Sequence, residues 1–229
     1  MKKVRIILLL GLFAAIGCTS DNSVDKKTNE STAQVVKKEN ADYSLEEILN
    51  GMRDWDNLRS NPEELLQYFE SYNALSLDMS QFPKGKNLHA YSCILNGELK
   101  FAIIPEVYDV ESYQDSLLNY INIVDLQYKD IATLSERTYE SFTFPLPTQY
   151  IEAEEAIVRI EDWNSNYAEW LGNASMIYQG FSIPTYDLEQ QTYDVYFGLK
   201  DNTENSNVKE ADLVFDNNIG LFFDSMRAY

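Results

Sequence analysis

His89 is the single histidine of the 229 residues. On that count a multi-histidine zinc site, a histidine acid–base pair and a Ser-His-Asp triad are all set aside, and a satisfied or solvent-facing strand residue is expected. Carboxylates are abundant instead, with 37 Asp and Glu against 18 Lys and Arg. Two of them suffice for glycoside hydrolysis, but only when they face one another across a cleft, and so many acids single out no pair. Asp201-Asn202-Thr203-Glu204-Asn205-Ser206-Asn207 with Asp212 offers oxygens in the manner of a calcium loop. It lacks the glycine needed at the sixth position, and Asp212 stands where the bidentate glutamate belongs, so a polar hairpin loop is expected. Neither the dinucleotide nor the Walker glycine pattern occurs. Cys93, within Tyr91-Ser92-Cys93-Ile94-Leu95 and with no basic neighbour beyond His89, is expected as a buried core thiol. No catalytic residue, metal or cofactor is assigned.

The elements that would position such residues read as α+β. Ser44 and Glu47 form a capping box ahead of Leu45, Ile48, Leu49, Met52 and Trp55 at helical spacing. Asn61-Pro62-Glu63-Glu64 starts a second helix with stripe Leu65, Leu66, Phe69 and Tyr72. Extended runs follow at Ala74–Met79, Leu88–Leu95 and Glu98–Pro105, the last two joined by Asn96-Gly97, a strong hairpin signal. A weaker helix is expected over Asp109–Ile123. Phe144-Pro145-Leu146-Pro147 then breaks the chain before the clearest helix, carrying Ala156, Ile160, Trp163, Tyr167, Trp170 and Leu171 and ending near Gly172-Asn173. Strands are expected at Met176–Pro184, Tyr193–Lys200, Ala211–Phe215 and Leu221–Met226.

The two halves align collinearly. Asp54-Trp55 matches Asp162-Trp163, Leu75-Ser76-Leu77 matches Phe181-Ser182-Ile183, and Tyr91 matches Tyr196. Leu99-x-Phe101 matches Leu213-x-Phe215, and Tyr108-Asp109 matches Phe223-Asp224, with loop insertions chiefly at Asn202–Lys209. Two tandem α+β copies are therefore expected, at 44–147 and 148–229, each an antiparallel sheet packed against helices around a pseudo-twofold axis, with a cleft between them as the place for a ligand.

The start of the chain reads as a secretory leader. Lys2, Lys3 and Arg5 precede an apolar run from Ile6 to Ile16, shorter than the roughly 20 residues that span a bilayer. Ala15-Ile16-Gly17-Cys18 resembles the lipobox of bacterial lipoproteins, and the resemblance implies a signal peptide over 1–17 and acyl chains on Cys18 that hold the protein to a bilayer. Thr19-Ser20-Asp21-Asn22 resembles the acidic export signal of Bacteroidota lipoproteins, implying the outer membrane. Residues 18–43, rich in Ser, Thr, Asn, Lys and Glu without periodicity, read as the lipidated cysteine and a disordered tether. With Cys18 acylated, Cys93 has no disulfide partner.

The formal charge of −19 makes nucleic acid an unsuitable partner. Tyrosine is frequent, at 16 residues, and serves mostly in the core; Tyr113, Tyr128, Tyr139, Tyr150 and Tyr186 fall off the buried stripes and are interface candidates. Asp115-Ser116-Leu117 and Asp224-Ser225-Met226 resemble short O-glycosylation acceptors of Bacteroidota. Residues 152–229, through the Trp163 helix, Phe181-Ser182-Ile183-Pro184, Tyr196-Phe197-Gly198-Leu199-Lys200 and Ala211-Asp212-Leu213-Val214-Phe215, resemble uncharacterised lipoprotein domains of that group, which implies no activity. A non-enzymatic binding or protein-interaction lipoprotein is expected. The alternatives are a carbohydrate-binding accessory of surface glycan uptake and, behind it, a carboxylate-pair hydrolase.

Overall fold

The computed structural model describes residues 43–132, 134, 150–174, 177–186, 188, 191–202, 208–217, 222–224 and 227–228. Cys18, the tether before Tyr43, Tyr139 and Phe144–Pro147 lie outside them. Helix α1 (Leu45–Leu58) starts at Ser44 with the expected capping box: the Glu47 N–H donates to Ser44 Oγ at 3.2 Å and the Ser44 N–H to Glu47 Oε2 at 2.7 Å. It turns Ile48, Gly51 and Trp55 inward, and α2 (Pro62–Phe69) buries Leu65 and Phe69. Strand β1 (Ala74–Asp78) ends in a 3-10 turn at Met79–Gln81. The hairpin of β2 (Leu88–Leu95) and β3 (Glu98–Pro105) turns at Asn96 and Gly97, whose φ values of 53° and 80° give the two left-handed positions of a tight turn.

The expected helix over Asp109–Ile123 is not formed. Its place is taken by a 3-10 turn at Glu106–Tyr108, a longer 3-10 segment at Glu111–Asn119 that buries no residue, and strand β4 (Asn122–Gln127). Within Glu111–Asn119 only Leu117 and Leu118 pack, in part, against the cluster around Ile48 and Cys93, whereas β-branched Ile123 and Val124 find a partner in β3. A short β5 (Tyr150–Ile151) precedes α3 (Ala153–Asn173), followed by β6 (Gly180–Ile183), β7 (Thr192–Asp201), β8 (Lys209–Asp216), β9 (Phe222–Asp224) and β10 (Arg227–Ala228). None of the helices among the described residues is long and apolar enough to cross a membrane.

The class is α+β, with one antiparallel sheet of ten strands in the order β10-β6-β2-β3-β4-β1-β7-β8-β9-β5. Strands of 44–147 and 148–229 thus share one sheet instead of forming two. The order begins at β10 and nears its other end at β9, yet these strands are separated by only residues 225 and 226, and β10 also lies against β8, so the sheet curls on itself. Two seams join the segments, and their registers correspond. Leu75 opposite Val195 and Leu77 opposite Tyr193 in the β1–β7 seam match Phe181 opposite Ala90 and Ile183 opposite Leu88 in the β6–β2 seam. These are the positions that the alignment of Leu75–Leu77 with Phe181–Ile183 and of Tyr91 with Tyr196 requires.

Two of the aligned pairs need correction. Tyr91 faces Ala102 and Tyr196 faces Val214, so Phe101 corresponds to Leu213 and Ile103 to Phe215, two residues from the sequence pairing but on the same face. Tyr108-Asp109 follows β3 at the 3-10 turn, whereas Phe223-Asp224 is β9, which stands against β8 as β4 stands against β3.

The central core gathers Trp55 and Trp163 with Phe69, Phe101, Phe181, Phe197 and Phe215. Trp163 and Phe197 stack at 4.9 Å, and the Trp55 indole N–H donates to the Tyr178 carbonyl at 2.9 Å. Two smaller clusters cover other sheet faces: Ile48, Cys93 and Ala102 with Met52 and Tyr91 under α1, and Ala156, Ile160, Tyr196 and Val214 under α3. Each helix crosses its strand closely. A Cβ on Gly51 would lie 2.5 Å from the Ile94 carbonyl oxygen, and one on Gly198 would lie 3.2 Å from Arg159 Cβ. The missing side chain is on the helix in one crossing and on the strand in the other.

Candidate functional site

β1 and β4 pair only at Ala74–Gln127 and Leu75–Leu126, although the strands run five and six residues. Beyond those pairs they diverge around a cleft of about 290 Å³, lined by Ser76–Asp78, Gln81 and Phe82 on one side and Ile123–Gln127 on the other. β1 itself ends on a local feature. Asp78 stops β1 by capping the 3-10 turn, accepting from the Ser80 N–H at 2.9 Å and the Ser80 hydroxyl at 2.6 Å, and the turn brings Phe82 back into the core. Leu77, Phe82 and Leu126 form the buried apolar lining. At the rim, Gln127 Nε2 donates to Ser76 Oγ at 2.7 Å, and Ser76 Oγ to Asp194 Oδ1 at 3.3 Å.

Two acids, Asp78 and Asp125, line this cleft. Asp78 is committed to its turn, with Gln81 Nε2 donating to its second oxygen at 3.3 Å. Asp125 has 76% of its side chain exposed and sits 2.5 Å from Lys100 Nζ, which also meets Glu98 at 2.8 Å. Burial lowers the affinity of the Lys100 amine for its proton, but the two carboxylates outweigh it and hold the ammonium well above the usual lysine range. Neither acid has the enclosed apolar setting that makes a carboxyl a general acid.

A second cluster stands beside the far end of β2. His89 Nδ1 lies 2.6 Å from Asp109 Oδ2, which also accepts from the Tyr91 hydroxyl at 2.6 Å. Burial pushes the Asp109 carboxyl up, yet the His89 and Tyr91 hydrogen bonds and the His89 charge together bring it below its ordinary value. The histidine count disposes of a multi-histidine site but not of a triad, which needs only one. Ser182 is directly opposite His89 across the β2–β6 ladder. It sits on β6, a strand paired on both sides, by β2 and by β10, where main-chain N–H groups serve the ladders and supply no oxyanion hole. The cluster is best understood as a tie between β2 and the turn after β3.

The remaining sequence candidates are dispersed. Cys93 is buried against Ile48 and Leu95, and burial pushes its thiol up to about 12. Asp212 is fully buried on β8, bound by Arg159 at 2.5 Å and Lys200 at 3.3 Å, and Asp201 pairs with Lys209 at 2.8 Å at the end of the β7–β8 hairpin. Residues 203–207 of that loop lie outside the described set. No group of three or more His, Cys, Asp or Glu that could hold a metal ion occurs among the described residues.

Tyr128 and Tyr186 are exposed, at 71% and 58%, while Tyr150 packs on the core. Tyr113 joins Tyr108 and Tyr120, the last two stacked at 3.8 Å and Tyr113 edge-on at 5.2 and 5.6 Å. Ser116 donates to the Tyr113 carbonyl at 3.2 Å, and residues 225 and 226 of the other acceptor-like motif lie outside the described set. The cleft was not foreseen, because half of its lining belongs to β4, of which Ile123 falls at the end of the segment expected to be helical and Val124–Gln127 in no expected element. The Ile123-Val124 pair was the one available signal. Compared with known proteins, the chain matches no family model, no curated protein and no solved structure.

Proposed function

We propose that this chain is an outer-membrane lipoprotein, held to the bilayer through acylated Cys18, whose folded part binds a partner without catalysing a reaction. The observation that carries the binding reading is the cleft between β1 and β4, an opening in the sheet with an apolar floor and a polar rim. The anchoring reading rests on the Ala15-Ile16-Gly17-Cys18 resemblance. Radiolabelled palmitate fed to cells making the protein should label it, and Cys18→Ser should abolish the label and release the chain from membranes; unchanged labelling of the variant would overturn the anchor. Ser76→Trp, at an exposed rim position, should block partner capture on intact cells, and capture unaffected by it would place binding elsewhere.

We propose further that the two halves are duplicated copies. The matching registers of the two seams support this, as does the agreement of Ile48, Met52, Tyr91 and Ala102 with Ala156, Ile160, Tyr196 and Val214 in the two smaller clusters. A glycan-binding role is the second reading, favoured by the Tyr108, Tyr113 and Tyr120 cluster, since tyrosine rings stack on sugar faces. A glycan array signal lost on Tyr113→Ala but kept in Ser76→Trp would move it to first place.

A further inference from the structure

We infer that the two segments are matched as an unlike pair: across the seams each accepts only the opposite segment, from the same chain or from a second copy of it. The duplication reading does not require this, since it needs only the matching registers. The backbone does not impose it either. Leu75 opposite Val195 and Phe181 opposite Ala90 hold the same place in the two seams, as do Ala74 opposite Tyr196 and Gly180 opposite Tyr91. A segment could therefore meet its own kind with its strand pairing intact. Side chains prevent it at three points.

The first is volume. Leu75, Val195, Phe181 and Ala90 all lie in the central core. A pair of first segments would set Leu75 against Ala90 and leave a gap, and a pair of second segments would force Phe181 against Val195. The second is backbone approach. A Cβ on Gly180 would lie 2.6 Å from the Ala90 carbonyl oxygen, and β1 carries Ala74 at that position, so β1 cannot take the place of β6 beside β2 without a shift. The third is the ring between the tryptophans. Phe69 of α2 meets Trp55 edge-on at 6.2 Å and Trp163 edge-on at 5.3 Å, one ring serving both. α2 has no counterpart in the second segment, where only residues 174–179 join α3 to β6, fewer than the 8 residues of α2. A pair of first segments would bring two such rings to one place, and a pair of second segments none.

The test uses residues 18–229 with a protease recognition sequence inserted within residues 135–149 and cut after folding. Isotope-labelled and unlabelled batches are mixed, unfolded in urea and refolded by dilution, and native mass spectrometry counts the particles. Unlike pairs should return with the two batches combined at random, and should outnumber like pairs by at least about tenfold. Like pairs at their random share would overturn the inference and leave the duplication reading standing. If the cut pieces do not refold, the uncut chain decides. There Leu75→Phe and Val195→Ala should each lower the thermal midpoint by several degrees, and the double variant should lose less than the sum of the two. Strict additivity would overturn the matching of volumes across the seam.

Discussion

Asp109 shows how a single carboxylate can join two segments. Its folded carboxyl lies below the ordinary value, so the stabilisation it supplies is complete above the unfolded value of about 3.9 and is lost as pH falls through the lower folded value. Asp109→Asn should therefore cost about 2 kcal/mol at neutral pH, the scale of hydrogen bonds to a charged group, and the difference from wild type should shrink as pH falls below the unfolded value of about 3.9. Urea denaturation of both chains at neutral and acid pH measures this. Cys93 has the opposite displacement. With its thiol pushed up to about 12, native protein at pH 8 holds about one part in ten thousand as thiolate, and a maleimide should label Cys93 only after denaturation. Because the unfolded thiol ionises near its ordinary value, Cys93 also favours unfolding progressively as pH rises above about 9.

At the scale of elements, the helix–strand crossings decide which glycines tolerate a side chain. Gly51→Ala improves helix propensity by about 1 kcal/mol, but its methyl would meet a backbone oxygen that cannot step aside. The net effect should be destabilising by about 1–3 kcal/mol, the usual cost of overpacking. Gly172, near the end of α3, has nothing within 4 Å of the added carbon, so Gly172→Ala should stabilise by about 0.5–1 kcal/mol. Thermal unfolding of the two variants should shift in opposite directions.

For the whole molecule, the seams have the larger consequence. β1 of the first segment pairs with β7 of the second, and β6 of the second pairs with β2 of the first, while Trp55 and Trp163 share one core. Neither segment completes a core alone, so unfolding should be a single transition, with far-ultraviolet dichroism and tryptophan fluorescence coincident at every denaturant concentration. Two separated transitions would show that the segments are independent units.

Sequence alone determined what depends on near neighbours: the Ser44–Glu47 cap, the proline start of α2, the Asn96-Gly97 turn and the strands on either side of it, each governed by contacts within a few residues. It also carried the helical stripe of α3 and the alignment of Leu75–Leu77 with Phe181–Ile183, because amphipathic spacing survives in the order of residues. Tertiary structure decided the rest. Residues 122–127 become a strand because β3 presents an edge to them, and the aligned strands form one sheet instead of two because β1 of the first segment and β6 of the second each pair across to the other segment. The cleft arises where β1 leaves β4, a divergence between residues some 50 positions apart that no local pattern records.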